Sequence, residues 1–310
     1  MSSLPARPLS ASQVEPLRSG DLTRDFSEQV FPALERELTR ATVNDPGLPA
    51  GLEDALRRAV GVPGGGGRRW RPLLTLATAR ACGREIHEIL SVAVAVELTH
   101  TASLVLDDLP CMDDAGERRG LQATHRRVGS AGAILLAIGL LARSAELLAT
   151  APRGGADLAG AWGRSFGLSG MAGGQAVDVT GAFQTGGHAR RLHRKKTTDL
   201  SSFAVWAGAT AAGAGDRTRQ ALYRFGRDLG WAYQLADDAR DLEEDSALGR
   251  GPGGRRPQEQ AYRLLGRARR RLREAPGLTT EGRQLLDELG GQIVGEPSPT
   301  RDWNQGDSTC

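Results

Sequence analysis

The sequence predicts an all-α protein built as a single domain. Apolar residues recur at helical spacing through most of the 310 residues. Breaker clusters divide those stretches, the densest being Gly61-Val62-Pro63-Gly64-Gly65-Gly66-Gly67. No run has the β-branched alternation of a strand; residues 92–96 alternate Val with Ala, but inside a longer helical window.

The elements follow in order. Residues 1–20 are polar and bear Pro and Ser, and a disordered tail is expected there. Amphipathic spacing predicts helices over 24–42 and 52–60, the second ended by the glycine-rich cluster. A helix over 72–82 precedes a long apolar one over 85–108. A Leu- and Ala-rich helix follows over 131–150, then a glycine-bearing one over 156–179. Further helices are expected over 192–212, 217–244, 257–274 and 280–290. Residues 296–310 are polar and are read as a loose tail, which leaves 21–295 as the folded domain.

Composition excludes several functions. The 40 basic residues nearly balance 37 acidic ones, so net charge is only +3. With so small a net charge, a nucleic-acid partner is not expected. The longest unbroken apolar run, 131–142, is short of the roughly 20 residues that span a bilayer, so no stable membrane insertion is expected. The opening segment lacks the apolar stretch of a secretory leader. Cys82, Cys111 and Cys310 are odd in number and widely spaced, which suits neither a disulfide framework nor a zinc site. The chain is therefore read as cytoplasmic and reduced. Lys195 and Lys196 are its only lysines, so each stands out from a strong bias toward Arg.

Two acidic clusters carry the chemistry. The first is Asp107-Asp108-Leu109-Pro110-Cys111-Met112-Asp113-Asp114, after the apolar Ser103-Leu104-Val105-Leu106. The second is Asp237-Asp238-Ala239-Arg240-Asp241, after Trp231-Ala232-Tyr233-Gln234-Leu235-Ala236. Asp237 and Asp241 are four apart and share a helical face, where like charges repel unless water screens them or a cation bridges them. Mg²⁺ takes oxygen ligands, with one or two carboxylates completed by phosphate and water. Asp107 and Asp113 are six apart and off one face, but Pro110 is expected to end the helix and swing Asp113 back. One such cluster is as readily a solvated helix end; two, each led by an apolar helix, favour a metal–diphosphate site.

Basic groups stand beside them. Arg68, Arg69 and Arg71 follow the glycine run, Arg118-Arg119-Gly120 follows the first cluster, and Arg194-Lys195-Lys196-Thr197 is a third group. Arg matches phosphate bidentately and Lys serves as a point charge. His100 lies two turns before Asp107, and Gln175 and Asp178 lie one turn apart, able to bond a lysine or a metal-bound water.

These motifs, together and in order over residues 66–245, resemble the trans-isoprenyl diphosphate synthases, also called polyprenyl synthetases. The segment from His100 through Asp107, Asp108, Asp113 and Asp114 to Arg118-Arg119-Gly120 matches the family's longer first aspartate-rich motif. Tyr233-Gln234 and Asp237-Asp238-Ala239-Arg240-Asp241 match the second, and Gly-Gly-Gln-x-x-Asp and Lys-Thr match landmarks between them. The resemblance implies a helical bundle around a deep central cavity (the isoprenoid synthase fold), usually as a homodimer. It implies three Mg²⁺ ions, Asp107 and Asp113 holding two with Asp108 in support, and Asp237 the third with Asp238 and Asp241 beside it. It implies that Arg118, Lys196, Thr197 and Gln234 hold an allylic diphosphate. Isopentenyl diphosphate falls to Arg68, Arg71, His100 and Arg119, with Arg69 as an alternate.

The implied reaction condenses the two substrates and releases diphosphate. Chain length is expected to follow the residues one turn before Asp107, which are Ala102 and Ser103. The family's short-chain members carry an aromatic floor at the position of Ala102, so Ala favours a C20 product over C15, with Ile138 and Leu141 as deeper candidates. The chain departs from the family at Arg68, where Lys is usual, at Ala137-Ile138, where Gly-Asp is common, and over 248–257, where a Gly-Lys segment is replaced. A farnesyl or C25 synthase, a class I terpene cyclase and a non-catalytic regulatory subunit are the alternatives.

Overall fold

The computed structural model describes residues 22–42, 48–62, 68–118, 120–180, 187–247 and 255–295. Both tails expected from the sequence lie outside these residues. Among them the order begins α1 (Leu22–Thr42), α2 (Ala50–Val60), α3 (Trp70–Ala81), a 3-10 turn (Ile86–Glu88) and α4 (Leu90–Asp107). A hairpin of β1 (Glu117–Arg118) and β2 (Leu121–Gln122) follows, then α5 (Thr124–Ala149), α6 (Gly155–Phe166) and α7 (Met171–Val179). The chain continues with α8 (Gly187–Ala211), α9 (Asp216–Ala247), α10 (Arg255–Glu274) and α11 (Thr280–Val294). The fold is all-α, as expected.

Three local differences have physical reasons. The helix expected over 156–179 is two helices, because the backbone leaves the helical path between Phe166 and Met171, where Gly167 is extended. A Cβ at Gly170 would stand 2.1 Å from the carbonyl oxygen of Ser165, and one at Gly173 would stand 1.8 Å from that of Leu168. Only glycine fits so close an approach. The helix expected from residue 131 starts at Thr124, with Gly129 at φ 74° breaking its helical path. The hairpin pairs Glu117 with Gln122 and Arg118 with Leu121, and two residues per strand leave no alternation to read.

The bundle is organised around α4, which packs against α1, α2, α3, α5 and α8. Val92, Val94, Val96, Leu98 and Ala102 on it are all fully buried. A helix apolar on every side belongs in the centre of a bundle, and each buried Val or Leu contributes about 1.5–3 kcal/mol. By length and composition α4 and α5 could both cross a bilayer, a point that unbroken apolar runs do not reveal. In the bundle α4 is enclosed, while α5 exposes Ile134, Leu135 and Ile138. The other side is a layer in which α9 packs between α8 and α10, with α11 against α3 and α10.

Candidate active site

A cavity of about 850 Å³ opens between α3, α4, α7, α8 and α9. The first acidic cluster stands where α4 ends at Asp107. Beyond it the chain turns through Pro110, and the Asp113 amide donates to the Asp107 carbonyl at 2.9 Å. The proline thus brings Asp113 back beside Asp107, as the sequence predicts. Burial pushes the Asp107 carboxyl up to about 6; Lys196 and Arg118 oppose this, while Asp113 and Asp108 reinforce it. A cluster that resists its own charge is complementary to a cation.

Asp108 faces elsewhere. Its side chain is buried and accepts from the Arg118 Nε at 2.9 Å and from the same guanidinium's Nη2. It anchors Arg118, and Arg118 reaches the cavity wall. Arg119 lies outside the described residues.

The second cluster lies on the unbroken helix α9. Asp237 lines the same cavity as Asp107 and accepts from Arg240 at 2.8 Å. Asp238 accepts from the Gln234 side-chain amide at 2.8 Å, and the Gln234 carbonyl accepts from the Thr197 hydroxyl at 2.8 Å. The Asp241 side chain is not among those described. Lys196 donates to Asp178 at 2.6 Å and lines the cavity. Lys195 turns the other way, to the Ser169 carbonyl at 2.7 Å, so only one of the two lysines faces the site. Gln175 also lines the cavity, and neither polar atom of its amide has a partner.

The basic loop before α3 divides its three arginines. Arg71 lies with its guanidinium carbon 4.2 Å from the Trp70 ring centroid and bonds the His100 ring at 3.1 Å. Arg68 donates to the Gln292 carbonyl at 2.9 Å. Arg68, Arg71 and His100 all line the cavity. Arg69 is different. Its side chain is fully buried and pairs with Glu97 at 2.7 Å and Glu35 at 3.0 Å. It also donates to the Val60 carbonyl at 2.6 Å. Every arm of its fork is committed to the fold, so here Arg69 serves as an internal anchor. Arg69 takes the left-handed conformation, φ 47°, at the N-cap of α3. Such a residue persists only where its surroundings over-determine it, and the buried ion pairs do so. The sequence signal was Glu97, an acid inside an otherwise apolar helix.

Of the chain-length candidates, Ser103 lines the cavity and Ala102 does not; Ala102 is packed wholly into the core. Ile138 and Leu141 are not among the lining residues either.

The donor set suits Mg²⁺. It consists of hard carboxylate oxygens, with Asp107 and Asp113 closed into one loop and Asp237 facing the same space. Among the described residues no three His, Cys, Asp or Glu side chains converge on one point. Each ion would then take one or two carboxylates and complete its shell from diphosphate and water.

A sequence model described as Polyprenyl synthetase matches residues 53–253. The farnesyl diphosphate synthase of Geobacillus stearothermophilus is 36% identical over 226 residues, covering 70% of this chain and 75% of that protein. The geranylgeranyl diphosphate synthase of Pantoea ananas is 35% identical over 238 residues, covering 73% and 76%. The crystal structure of an FPP/GFPP synthase from Zymomonas mobilis superposes with a TM-score of 0.75 at 29% identity, over 89% of this chain and 100% of that one. A geranyltranstransferase from Thermotoga maritima gives 0.71 at 25% identity, over 86% and 98%.

Proposed function

The chain belongs to the polyprenyl synthetase family, and we propose that it is a short-chain trans-prenyltransferase making geranylgeranyl diphosphate (C20). One observation carries this reading: Asp107 and Asp237, from two distant motifs, line one cavity that continues into an apolar interior. Its relatives carry both farnesyl and geranylgeranyl names. Ser103, which lines the cavity without filling it as an aromatic would, supports the longer product.

Lys196, Arg118, Thr197 and Gln234 hold the allylic diphosphate at the acidic mouth. Arg68, Arg71 and His100 hold isopentenyl diphosphate beside it, with Arg119 completing the set. Mg²⁺, three ions by the family resemblance and held by Asp107, Asp113, Asp237 and Asp241, would supply Lewis-acid charge to the departing diphosphate, an effect worth several kcal/mol. The allylic C1–O bond breaks and diphosphate leaves with the electron pair. The isopentenyl double bond attacks C1, forming the new C–C bond, and a proton is lost to the released diphosphate. Lys196 and Arg118 stay fixed where that negative charge develops, so they need not reorganise as it grows. The apolar wall keeps water from the cation.

The protein acts as a cytoplasmic homodimer, its folded domain spanning 21–295. The exposed Ile134, Leu135 and Ile138 of α5 support a self-association face. The test supplies purified protein with Mg²⁺, labelled isopentenyl diphosphate and allylic primers from C5 to C15. A C20 diphosphate that disappears with chelator is expected. A C15 product would keep the reaction and correct the length. No elongation by a folded protein would overturn the reading.

A further inference from the structure

Of the two residues one turn before Asp107, Ser103 lines the cavity but is too small to close it. Ala102 is fully enclosed by the core and Ile138 points to solvent, so neither can stop a growing chain. The apolar wall is instead made by residues that include Leu106, Phe166, Met171, Val179 and Leu200. Phe166 is the one aromatic among the described lining residues away from Trp70 and Tyr233, which pack on each other beside Arg71.

Phe166 does not stand alone. Its ring stacks on Trp162 with centroids 5.7 Å apart and planes 2° from parallel. The Trp162 indole donates to the Thr99 hydroxyl at 2.9 Å, and that hydroxyl donates in turn to the Ala95 carbonyl at 2.8 Å. Thr99 lies eight residues before Asp107 on α4, about 12 Å of helix rise below the acidic mouth. Phe166 also ends α6, against the turn that only glycine permits at Gly170 and Gly173. The ring is therefore held from behind by α4 and from the side by the turn.

We infer that Phe166, braced by Trp162 against Thr99, is the wall that ends chain growth and sets product length. The inference rests on the prenyltransferase reading above. Elongation continues while the tail can recede as C1 returns to the acidic mouth. A flat ring backed by a second ring cannot yield as a flexible aliphatic side chain can, and overfilling a packed space is unfavourable. Growth stops when the tail reaches the ring.

The test compares product spectra of the wild-type protein with those of Phe166→Ala, Phe166→Leu and Trp162→Phe, using labelled isopentenyl diphosphate and a C5 primer. Thermal midpoints are measured alongside. Phe166→Ala is expected to lengthen the main product by at least one C5 unit, and Phe166→Leu to raise the longer fraction severalfold. Trp162→Phe keeps a ring but loses the bond to Thr99, and is expected to spread the distribution. An unchanged spectrum from both Phe166 variants at measurable turnover overturns the assignment. So does loss of incorporation in both with the fold retained, because a length-setting wall tunes the product and not the chemistry. A wild-type protein that elongates nothing sinks the prenyltransferase reading itself, a separate result.

Discussion

The two acidic motifs reach the same cavity by opposite means. The first is bent: α4 ends at Asp107, Pro110 turns the chain, and a backbone bond from Asp113 to Asp107 closes the loop. The second is straight, a few turns of the continuous α9 whose carboxylates are steadied sideways by Gln234 and Arg240. The bent motif places two carboxylates that plain helical periodicity would separate. The straight one relies on that periodicity alone. The first should therefore be sensitive to backbone changes, and the second only to its side chains.

The largest effect should treat both motifs alike. Asp107→Asn and Asp237→Asn should each lower turnover about 100- to 1000-fold, the several kcal/mol of a metal-held charge, with helicity by circular dichroism unchanged. Near-normal turnover in either would remove that motif from the site. The next effect should separate them. Asp108→Ala strips Arg118 of a buried carboxylate and should cost about 2 kcal/mol of stability. Asp238→Ala loses only a half-exposed bond to Gln234 and should cost about 1 kcal/mol or less. Urea titrations giving equal losses would break the comparison. The smallest effect belongs to the bend. Pro110→Ala lets α4 continue and weakens the Asp113–Asp107 bond, worth about 1 kcal/mol, or about fivefold in kcat/KM for the allylic diphosphate. Steady-state kinetics showing no change would mean that the loop closes without its proline.

The bend itself was legible, because Pro110 between two Asp pairs has a single mechanical reading. So were the apolar run of α4 and the helical setting of the second motif. The division of labour among Arg68, Arg69 and Arg71 was not. Three arginines within four residues look alike in a chain biased to Arg, and what separates them is Glu35 and Glu97, which folding alone brings to Arg69. The cavity lining contributed by α6 and α7 was not legible for a related reason. Counting back from Asp107 along one helix finds Ala102, but which face of that helix meets the cavity depends on α6 and α7. Phe166 and Trp162 are four apart, a stacking spacing that was present in the sequence, but their tether to Thr99 spans 63 residues. Helix ends shifted least where caps were clear, as at Gly61 and Thr279.

The turn between α6 and α7 also bears on how such a chain could diversify. Any side chain at Gly170 or Gly173 would collide with backbone, so inherited variation there is closed off and the scaffold behind the wall stays constant. The ring in front of it is open to variation. Phenylalanine and leucine codons differ by a single base, so one nucleotide change reaches a softer wall without rerouting the chain. Descendants of this sequence would keep their architecture while their product drifted, and two close relatives could share nearly every residue yet make different compounds.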